Sequence, residues 1–339
     1  MLEIIKKGQP QFKANLHSHS TLSDGKLSPA ELKKIYKEHG YSVLAVTDHE
    51  YPADHSDLSD DTFLMLTGYE AHIRYETDRA HKAFQQEIHI NLLAKDPHNI
   101  SYVGYYEPFS SEFVPSPERR AELPKLGPHR EREYTVPFIN EFVRIAKENG
   151  YICTHNHPYW SMEDWSMIEQ YEGFFSMEMC NYSSYVRSGI EYNAQLYENL
   201  LRKGKRLFCH STDDNHNAAP LDSIKCDSFG GFTMILSPEL SYNAIFRALE
   251  TGNFYSSMGP RIHELYIDGN HVHIETDPVR HIAMHYGGKF PKCARGTRDN
   301  PVCSADFTIT PGTPFIRLTA TDFDGRSADT RGVFMDEII

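Results

Sequence analysis

Short apolar runs recur along the first two thirds of the chain, and each is associated with residues that can bind a metal ion. We count seven runs, six of which end in such residues, whereas the fourth carries His89 within it. Apolar runs of four to eight residues are typical of buried strands. The chemistry-bearing residues of the seven runs are, in chain order, His17 and His19; Asp48 and His49; Glu70; His89; His155 and His157; Glu178 and Asn181; Asp213, Asp214 and His216.

Helical patterns separate several of these runs. Ser28-Pro29-Ala30-Glu31 is a capping box with proline in the first turn, and Gly40 stands where a helix would end. Further amphipathic segments at 137–149, 191–203 and 241–252 also predict helices. Strands that alternate with helices predict a parallel sheet, and seven strands suit a closed or nearly closed TIM-like (β/α)7 barrel. The polar residues would then gather at the carboxyl ends of the strands.

Residues 98–136 interrupt this alternation with an aromatic run and then a segment rich in proline and charge. A long loop inside a compact domain is often a lid, so we expect these residues to cover a pocket. Tyr102, Tyr105, Tyr106 and Phe109 could pack over it, and Arg130 or Arg132 could reach an anion. The alternative is a simple excursion over the surface.

The C-terminal part of the chain has a strand-like pattern. Residues 264–275 alternate with period two around Asp268-Gly269, which predicts a hairpin, and 307–310 and 315–320 predict two more strands. We therefore divide the chain into an α/β barrel domain at 1–258 and a small β-rich domain at 259–339. The histidines of the second domain have no carboxylates at ligand spacing and are expected at the surface: His263, His271, His273, His281 and His285.

Composition narrows the choice of partners. A formal charge of −13 would repel long polyanions, so no long nucleic acid is expected, although metal ions would allow a small phosphate ester to bind. No apolar run has the length of a signal peptide or reaches the about 18–20 residues of a membrane helix. The six scattered cysteines indicate reduced thiols in the cytoplasm, with a Cys293–Cys303 pair as the minor alternative. Oligomeric state is not predicted.

His17 and His19 are the strongest single signal of metal chemistry. Residues two apart on a strand point to the same face, so both imidazoles could reach one ion. The H-x-H pattern alone is weak evidence, but Asp24, His49 and Glu70 follow at or near further strand ends. Imidazole and carboxylate together suit Zn, Mn or Fe, and a carboxylate such as Glu70 could bridge two ions.

The order of these motifs resembles the PHP (polymerase and histidinol phosphatase) family of metal-dependent phosphoesterases. The resemblance covers roughly residues 14–217, with 98–136 as the clear departure, and ALETGNFYSSMGP at 248–260 is similar to the element after the barrel in two-domain members. It implies a distorted barrel of the PHP fold followed by a small β domain. The matching motifs are LHSHS at 16–20, SDGKLSP at 23–29, VTDH at 46–49, GYE at 68–70, HINL at 89–92, HPYW at 157–160 and DDNH at 213–216.

The resemblance also implies nine ligands for two or three divalent ions. One ion would take His17, His19 and Asp214, and Glu70 would bridge to a second ion. Two choices stay open: His155 competes with His157, and Asp213 with Asp214. We prefer His157 because the family's histidine precedes proline, and Asp214 because it completes D-x-H. The remaining implied ligands are His89 and His157 for the second ion, and Asp24, His49 and His216 for the third.

Residues around these ligands would orient them. We expect this of Asp48, and also of Glu178 and Asn181. Arg187 or Arg261 could hold a phosphate through paired hydrogen bonds, although each is more typical of a surface position.

The implied reaction is hydrolysis of a small phosphate mono- or diester by a metal-bound hydroxide, without a covalent enzyme intermediate. The catalytic candidates for protonating the leaving group are Asp24, His49 and His216, next to the third ion. The same ligands could instead serve an amidohydrolase that cleaves an amide or a lactone. A non-catalytic binding module stiffened by metal is the second alternative.

Overall fold

A computed structural model describes residues 1–75, 84–104 and 117–338 of the chain. The strands are β1 Leu2–Ile5, β2 Gln11–Asn15, β3 Val43–Val46, β4 Leu64–Arg74, β5 Glu87–Ala94, β6 Tyr102–Val103, β7 Lys125–Leu126, β8 Tyr151–Asn156, β9 Ser176–Asn181, β10 Phe208–Thr212, β11 Phe232–Leu236, β12 Phe254–Ser257, β13 Ile262–Asp268, β14 His271–Val279, β15 His281–His285, β16 Lys292–Arg295, β17 Val302–Thr308, β18 Phe315–Thr321, β19 Ser327–Asp329 and β20 Val333–Phe334.

Helices connect several of the early strands. Two short 3-10 helices lie at Ser56–Leu58 and Met335–Glu337. The α-helices are α1 Pro29–Glu38, α2 Pro117–Ala121, α3 Val136–Glu148, α4 Trp165–Ile168, α5 Tyr182–Ser188, α6 Ala194–Arg202 and α7 Tyr242–Thr251. The structure confirms the capping box of α1, in which Ser28 accepts from the backbone N–H of Glu31 and the Glu31 side chain accepts in return. It starts α6 three residues later than the pattern at 191–203 predicts.

The seven predicted runs form neighbouring strands of one large sheet, in the order β2, β3, β4, β5, β8, β9 and β10. Most neighbours are parallel, as the alternation of strands and helices predicts. The exception is β5, which is antiparallel to both β4 and β8. The expectation of a uniformly parallel sheet is therefore wrong at β5. No helix separates β4 from β5 among the described residues, and β5 runs back along β4 as its antiparallel neighbour.

The first and last of these seven strands, β2 and β10, approach each other at their carboxyl ends. Ser18, beyond β2, forms a parallel bridge with Asn215, beyond β10. The backbone N–H of His19 donates to the carbonyl of Asn215 at 3.0 Å, and the N–H of Asp214 donates to the carbonyl of His17 at 2.9 Å. At the other end β11 pairs with β2, and the Thr233 hydroxyl donates to the Ser211 carbonyl at 2.9 Å. These contacts bring the first and last ligand-bearing runs side by side.

The C-terminal strands extend this sheet and add a second one. Beyond β11, the large sheet continues through β12, β19, β18, β15 and β16, and β20 pairs with β18. A four-stranded antiparallel sheet has the order β1, β13, β14 and β17. Buried side chains of both sheets share one core, which includes Ile267, Ile274, Ile282 and Leu318. Strand β1, at the start of the chain, thus pairs with a strand beyond residue 259.

The described part of the 98–136 segment is anchored by a buried ion pair. Arg132 donates to both carboxylate oxygens of Glu50, at 2.6 and 2.9 Å, and to the hydroxyl of Tyr102 at 3.1 Å. Arg132 is therefore engaged inside the protein, whereas Arg130 pairs with Glu141 at the surface. The predicted aromatic contacts of residues 105–109 lie outside the described residues, so the lid stays a prediction.

Two further sequence expectations concern the chain as a whole. None of the helices described within 1–75, 84–104 and 117–338 is both long and apolar enough to cross a bilayer. All six cysteines are free thiols, and Cys293 and Cys303 are both exposed.

Candidate metal centre

The nine predicted ligands lie together at one edge of the large sheet. Five of the seven runs deliver ligands or orienting groups at or just beyond a carboxyl end, and Glu70 lies within β4, four residues before its end. His89 is near the start of β5, but β5 is antiparallel to its neighbours, so its amino end lies at the same edge. Among the seven ligand-bearing strands, β5 therefore contributes its ligand from its amino end.

Glu70 is at the centre of the group. Its Oε1 lies 3.1 Å from Nε2 of His17, 3.1 Å from Nδ1 of His89 and 3.3 Å from Nε2 of His157. Its Oε2 lies 2.9 Å from Nδ1 of His49. The two carboxylate oxygens thus face different histidines, which is the arrangement needed for a carboxylate that bridges two ions.

Asp214 occupies the other side of the histidine pair. Its Oδ1 lies 2.9 Å from Nε2 of His19 and 3.2 Å from Nε2 of His17, and its Oδ2 lies 3.9 Å from Nε2 of His157. Asp214 and His157 both have left-handed backbone angles, with φ of 50° and 24°. Non-glycine residues held in this region cost about 1–3 kcal/mol and cluster at functional sites.

A third set of ligands lies at the more exposed side of the centre. Oδ2 of Asp24 is 3.3 Å from Nε2 of His216, and its Oδ1 is 3.8 Å from Nδ1 of His19 and 3.9 Å from Nε2 of His49. The loop that carries Asp24 passes very close to His19, because a Cβ on Gly25 would lie 2.2 Å from the His19 carbonyl oxygen. Glycine at this position therefore lets the loop reach the centre.

The donor set fits divalent metal ions. Groups of three or four ligand atoms lie within 4.8 Å of one another around Glu70, around Asp214 and around Asp24. Nε2 of His17 and Nε2 of His19 are 3.2 Å apart. Nδ1 of His19 and both ring nitrogens of His89 are buried without a hydrogen bond of acceptable geometry among the described residues. Buried polar atoms that converge in this way are explained by a cation between them.

Hydrogen bonds from a surrounding layer hold the ligands in place. Oε1 of Glu178 accepts from Nδ1 of His17 at 2.9 Å and from the hydroxyl of Thr212 at 2.6 Å. With its proton on Nδ1, His17 presents the lone pair of Nε2 towards Glu70. Asn181 donates to Glu178 at 2.9 Å and to Asp214 at 3.1 Å. Glu178 and Asn181 therefore lie where an orienting role requires them.

His155 and Asp213, the two alternative ligands, are engaged by other partners. His155 places Nε2 2.7 Å from Glu163, and Asp213 accepts from the backbone N–H groups of residues 229–231 at 2.8–2.9 Å. Asp48 accepts from the hydroxyls of Ser20 and Ser23, both at 2.6 Å, and so shapes the loop that precedes Asp24.

The electrostatics of the centre follow from burial and close opposite charges. Burial opposes a charge on His89, but the nearby carboxylates of Glu70 and Glu87 outweigh it and raise the pKa of His89 to about 10. Burial would raise the pKa of Glu178, yet His17 lowers it to about 2. The pKa of Glu70 is likewise held well below its usual range, because the surrounding histidines outweigh its burial. The carboxylates are thus ready to bind cations.

An open cavity of about 680 Å³ lies over the centre. Its rim includes Arg187 and Lys26, both exposed, and the indole of Trp160, whose centroid is 5.0 Å from that of His157. Of the two arginines predicted for phosphate, Arg187 lines this cavity, and Arg261 is not among its described lining residues. Sequence reasoning missed the position of Lys26 and Trp160 at the cavity, although both stand within the matching motifs at 23–29 and 157–160.

Solved structures that are similar to the chain include the following three. A two-domain protein from Bacteroides vulgatus that contains a predicted PHP-like metal-dependent phosphoesterase is 14% identical, with a TM-score of 0.46, covering 97% of this chain and 98% of its own. A candidate metal-dependent phosphoesterase from Bifidobacterium adolescentis is 14% identical, with a TM-score of 0.38, covering 63% and 91%. An amidohydrolase from Chromobacterium violaceum, with bound sulfate and no metal, is 16% identical, with a TM-score of 0.43, covering 71% and 96%.

Two of these structures thus carry names that agree with the family whose motifs the sequence resembles. No protein-family model and no curated protein matches the chain. Identities and TM-scores this low do not show an activity for this chain.

Proposed function

We propose that the protein is a metal-dependent phosphoesterase of the PHP type that hydrolyses a small phosphate mono- or diester. The observation that carries the proposal is the position of Glu70, whose two oxygens lie about 3 Å from four histidines beneath an open cavity. A purely structural zinc site closes its coordination with four ligands. Nine converging side chains under an accessible cavity favour a catalytic site instead.

Two or three divalent ions, Zn, Mn or Fe, would supply an activated water and neutralise charge on the phosphoryl oxygens. The protein's own groups would fix where this happens. His17, His19 and Asp214 would hold the first ion, His89 and His157 the second, with Glu70 between them. Glu178 would keep His17 in the tautomer that presents Nε2.

Asp24, His49 and His216 would hold the third ion or exchange a proton with the leaving group. All three line the cavity, and His216 donates Nδ1–H to the carbonyl of Asp214 at 3.0 Å, which turns its Nε2 towards Asp24. A proton donor must lie within hydrogen-bond reach of the oxygen that leaves. The side of the cavity with these three residues is where that oxygen would be protonated.

The rim of the cavity favours an anionic substrate. Lys26 and Arg187 have no carboxylate partner among the described residues, so they can meet a phosphoryl oxygen from the solvent side. A neutral amide or lactone would gain less from two such cations than a phosphate ester would. The overall charge of −13 still argues against long nucleic acids, so a small ester is the proposed ligand.

We further propose that β2, β3, β4, β5, β8, β9 and β10 form the distorted barrel of the PHP fold, with residues 259–339 as its β-rich companion domain. The bridge between Ser18 and Asn215 supports this closure at the edge that carries the centre. A cytoplasmic location remains part of the proposal and rests on composition alone.

The direct test is a panel of phosphomonoesters and phosphodiesters assayed with the protein loaded separately with Mn, Fe and Zn. We expect turnover of at least one member, lost on chelation and restored by adding metal back. Amides and lactones should be assayed in parallel. Hydrolysis of these alone would replace the proposal by the amidohydrolase alternative, and a metal-replete protein inert to every compound would leave the binding module.

A further inference from the structure

The solvent face of the four-stranded sheet carries a second group of histidines and carboxylates. Successive residues of a strand point to opposite faces. In β14, Val272 and Ile274 are buried in the core, so His271, His273 and Glu275 point outward. The neighbouring strands add outward carboxylates, Glu264 from β13 and Asp306 from β17, of which Asp306 is paired in register with His273.

His273 is held between these carboxylates in a particular orientation. Its Nδ1 lies 2.8 Å from Oδ1 of Asp306, which also lies 2.9 Å from Nε2 of His271. Its Nε2 lies 3.8 Å from both Glu264 and Glu275. A carboxylate that accepts from one ring nitrogen fixes the tautomer and leaves the other nitrogen as a lone-pair donor. Asp306 thus directs Nε2 of His273 into the gap between the two glutamates.

We propose that Glu264, His273 and Glu275 form a binding site for a divalent transition ion, with zinc as the best fit, separate from the candidate metal centre. Ligand atoms of these three residues lie within 4.8 Å of one another. Around zinc, with bonds of about 2.0–2.2 Å, ligand atoms lie within roughly 4.4 Å of one another, so small side-chain rotations complete the site. The ion would take one nitrogen and two carboxylate oxygens, and water would fill its open positions.

Two neighbours tune this site. The ring of Tyr266 stacks on His273 with centroids 5.0 Å apart and an angle of 26°, which restricts rotation of the imidazole. Lys7 donates to Glu275 at 2.8 Å, so its charge partly neutralises the carboxylate that an ion would bind. The ligands are also partly exposed, with 17–30% of each side chain accessible. The ion is therefore exchangeable, and it links β13 to β14 when bound.

The test compares zinc binding to the full-length wild type and variants, by titration against a chromophoric chelator of micromolar affinity. His273→Ala and Glu264→Gln should each bind one equivalent of zinc fewer than the wild type. Asp306→Asn should keep that equivalent but bind it on the order of 10–100-fold more weakly, because it loses only the orienting partner. Glu264→Gln is a surface change of equal size, so it keeps the test valid even if His273→Ala folds poorly.

His263→Ala is the matched control. His263 lies on the same domain with Nε2 2.7 Å from Asp277, and no group of three possible ligands among the described residues includes it. It should bind as much zinc as the wild type, and the phosphoesterase activity of all variants should equal that of the wild type. Unchanged zinc stoichiometry in both His273→Ala and Glu264→Gln would overturn the proposal, as would an equal loss in His263→Ala, which would indicate nonspecific binding by surface histidines.

Discussion

Each of the two parts of this molecule contains a histidine pair with H-x-H spacing that can be compared, His17 with His19 and His271 with His273. His17 and His19 follow β2 and are fully buried, with carboxylates from other strand ends around them. His271 and His273 lie on the open face of an antiparallel sheet, where 44% and 17% of the side chains are accessible. The local motif is the same, but its surroundings differ in the access of water.

This difference determines what a bound ion does in each place. Glu264, His273 and Glu275 form the exposed cluster. Water can solvate the charges of this cluster, so the cluster is stable with or without an ion. The centre assembles three carboxylates and six histidines, seven of the nine side chains are buried, and desolvated charges are costly unless each is paired. An ion should therefore be optional on the sheet and needed at the strand ends. The following experiments test that contrast.

Replacing Glu70 by Gln should have the largest effect. The amide keeps the volume but cannot bridge two cations, so turnover should fall by more than about 100-fold, since even groups that only orient a ligand are worth on the order of 10–100-fold. Metal analysis of the same preparation should show at least one equivalent lost. Glu264→Gln is the matched control, and its turnover should equal that of the wild type. Near-normal turnover in Glu70→Gln would show that Glu70 is not the bridging ligand.

Breaking the buried ion pair beneath the centre should have the next largest effect. Replacing Arg132 by Met leaves the carboxylate of Glu50 buried without its cation, and such losses cost about 3–5 kcal/mol of the free energy of unfolding. Denaturant unfolding measures this. Arg326→Met removes an exposed pair with Asp322 and should cost less than about 1 kcal/mol. Equal losses in the two variants would remove the distinction between buried and exposed charge.

Changing the orienting carboxylate should give a moderate effect. Glu178→Gln weakens the hydrogen bond that sets the tautomer of His17, so metal affinity should fall on the order of 10–100-fold, and turnover should recover at high metal concentration. Chelator competition measures the affinity. A loss of turnover that added metal does not restore, with unchanged affinity, would assign Glu178 a different role.

The smallest effect concerns pH and lies in the second region. Burial, followed by the charges of Arg317 and Arg202, lowers the pKa of His285 to about 3. Because the unfolded chain takes up this proton near pH 6.5 and the folded chain does not, its contribution to stability is complete above pH 6.5 and is lost as the pH falls towards 3. The stability of the wild type relative to His285→Gln should therefore fall as the pH is lowered over this range. A difference that stays constant with pH would contradict the assigned shift.

Much of the candidate site could be predicted because its signals are local. H-x-H, D-H and D-x-H each combine strong ligands with the end of an apolar run, and parallel strands deliver their ends to one edge. The antiparallel direction of β5 could not be read in this way, because it depends on which strands pair. Orienting roles such as that of Asp306 depend on distances that the sequence does not contain.

The exposed cluster is instructive because its signal was present. The expectation that the C-terminal histidines have no carboxylates at ligand spacing is wrong for His273. The predicted hairpin is confirmed, but its two-residue turn is Gly269-Asn270 and not Asp268-Gly269. Counting back from the observed turn pairs Glu264 with Glu275 and Tyr266 with His273. One of the two glutamates facing His273 comes from across the hairpin, so spacing along a single strand does not reveal the group.

Anomalous diffraction from crystals loaded with manganese or zinc tests the central claim most directly. We expect two or three anomalous peaks at the strand ends, with Glu70 within bonding distance of two of them and His17, His157 and Asp214 among their ligands. A single peak with Glu70 outside its coordination sphere, or peaks only at the protein surface, would contradict the proposed centre.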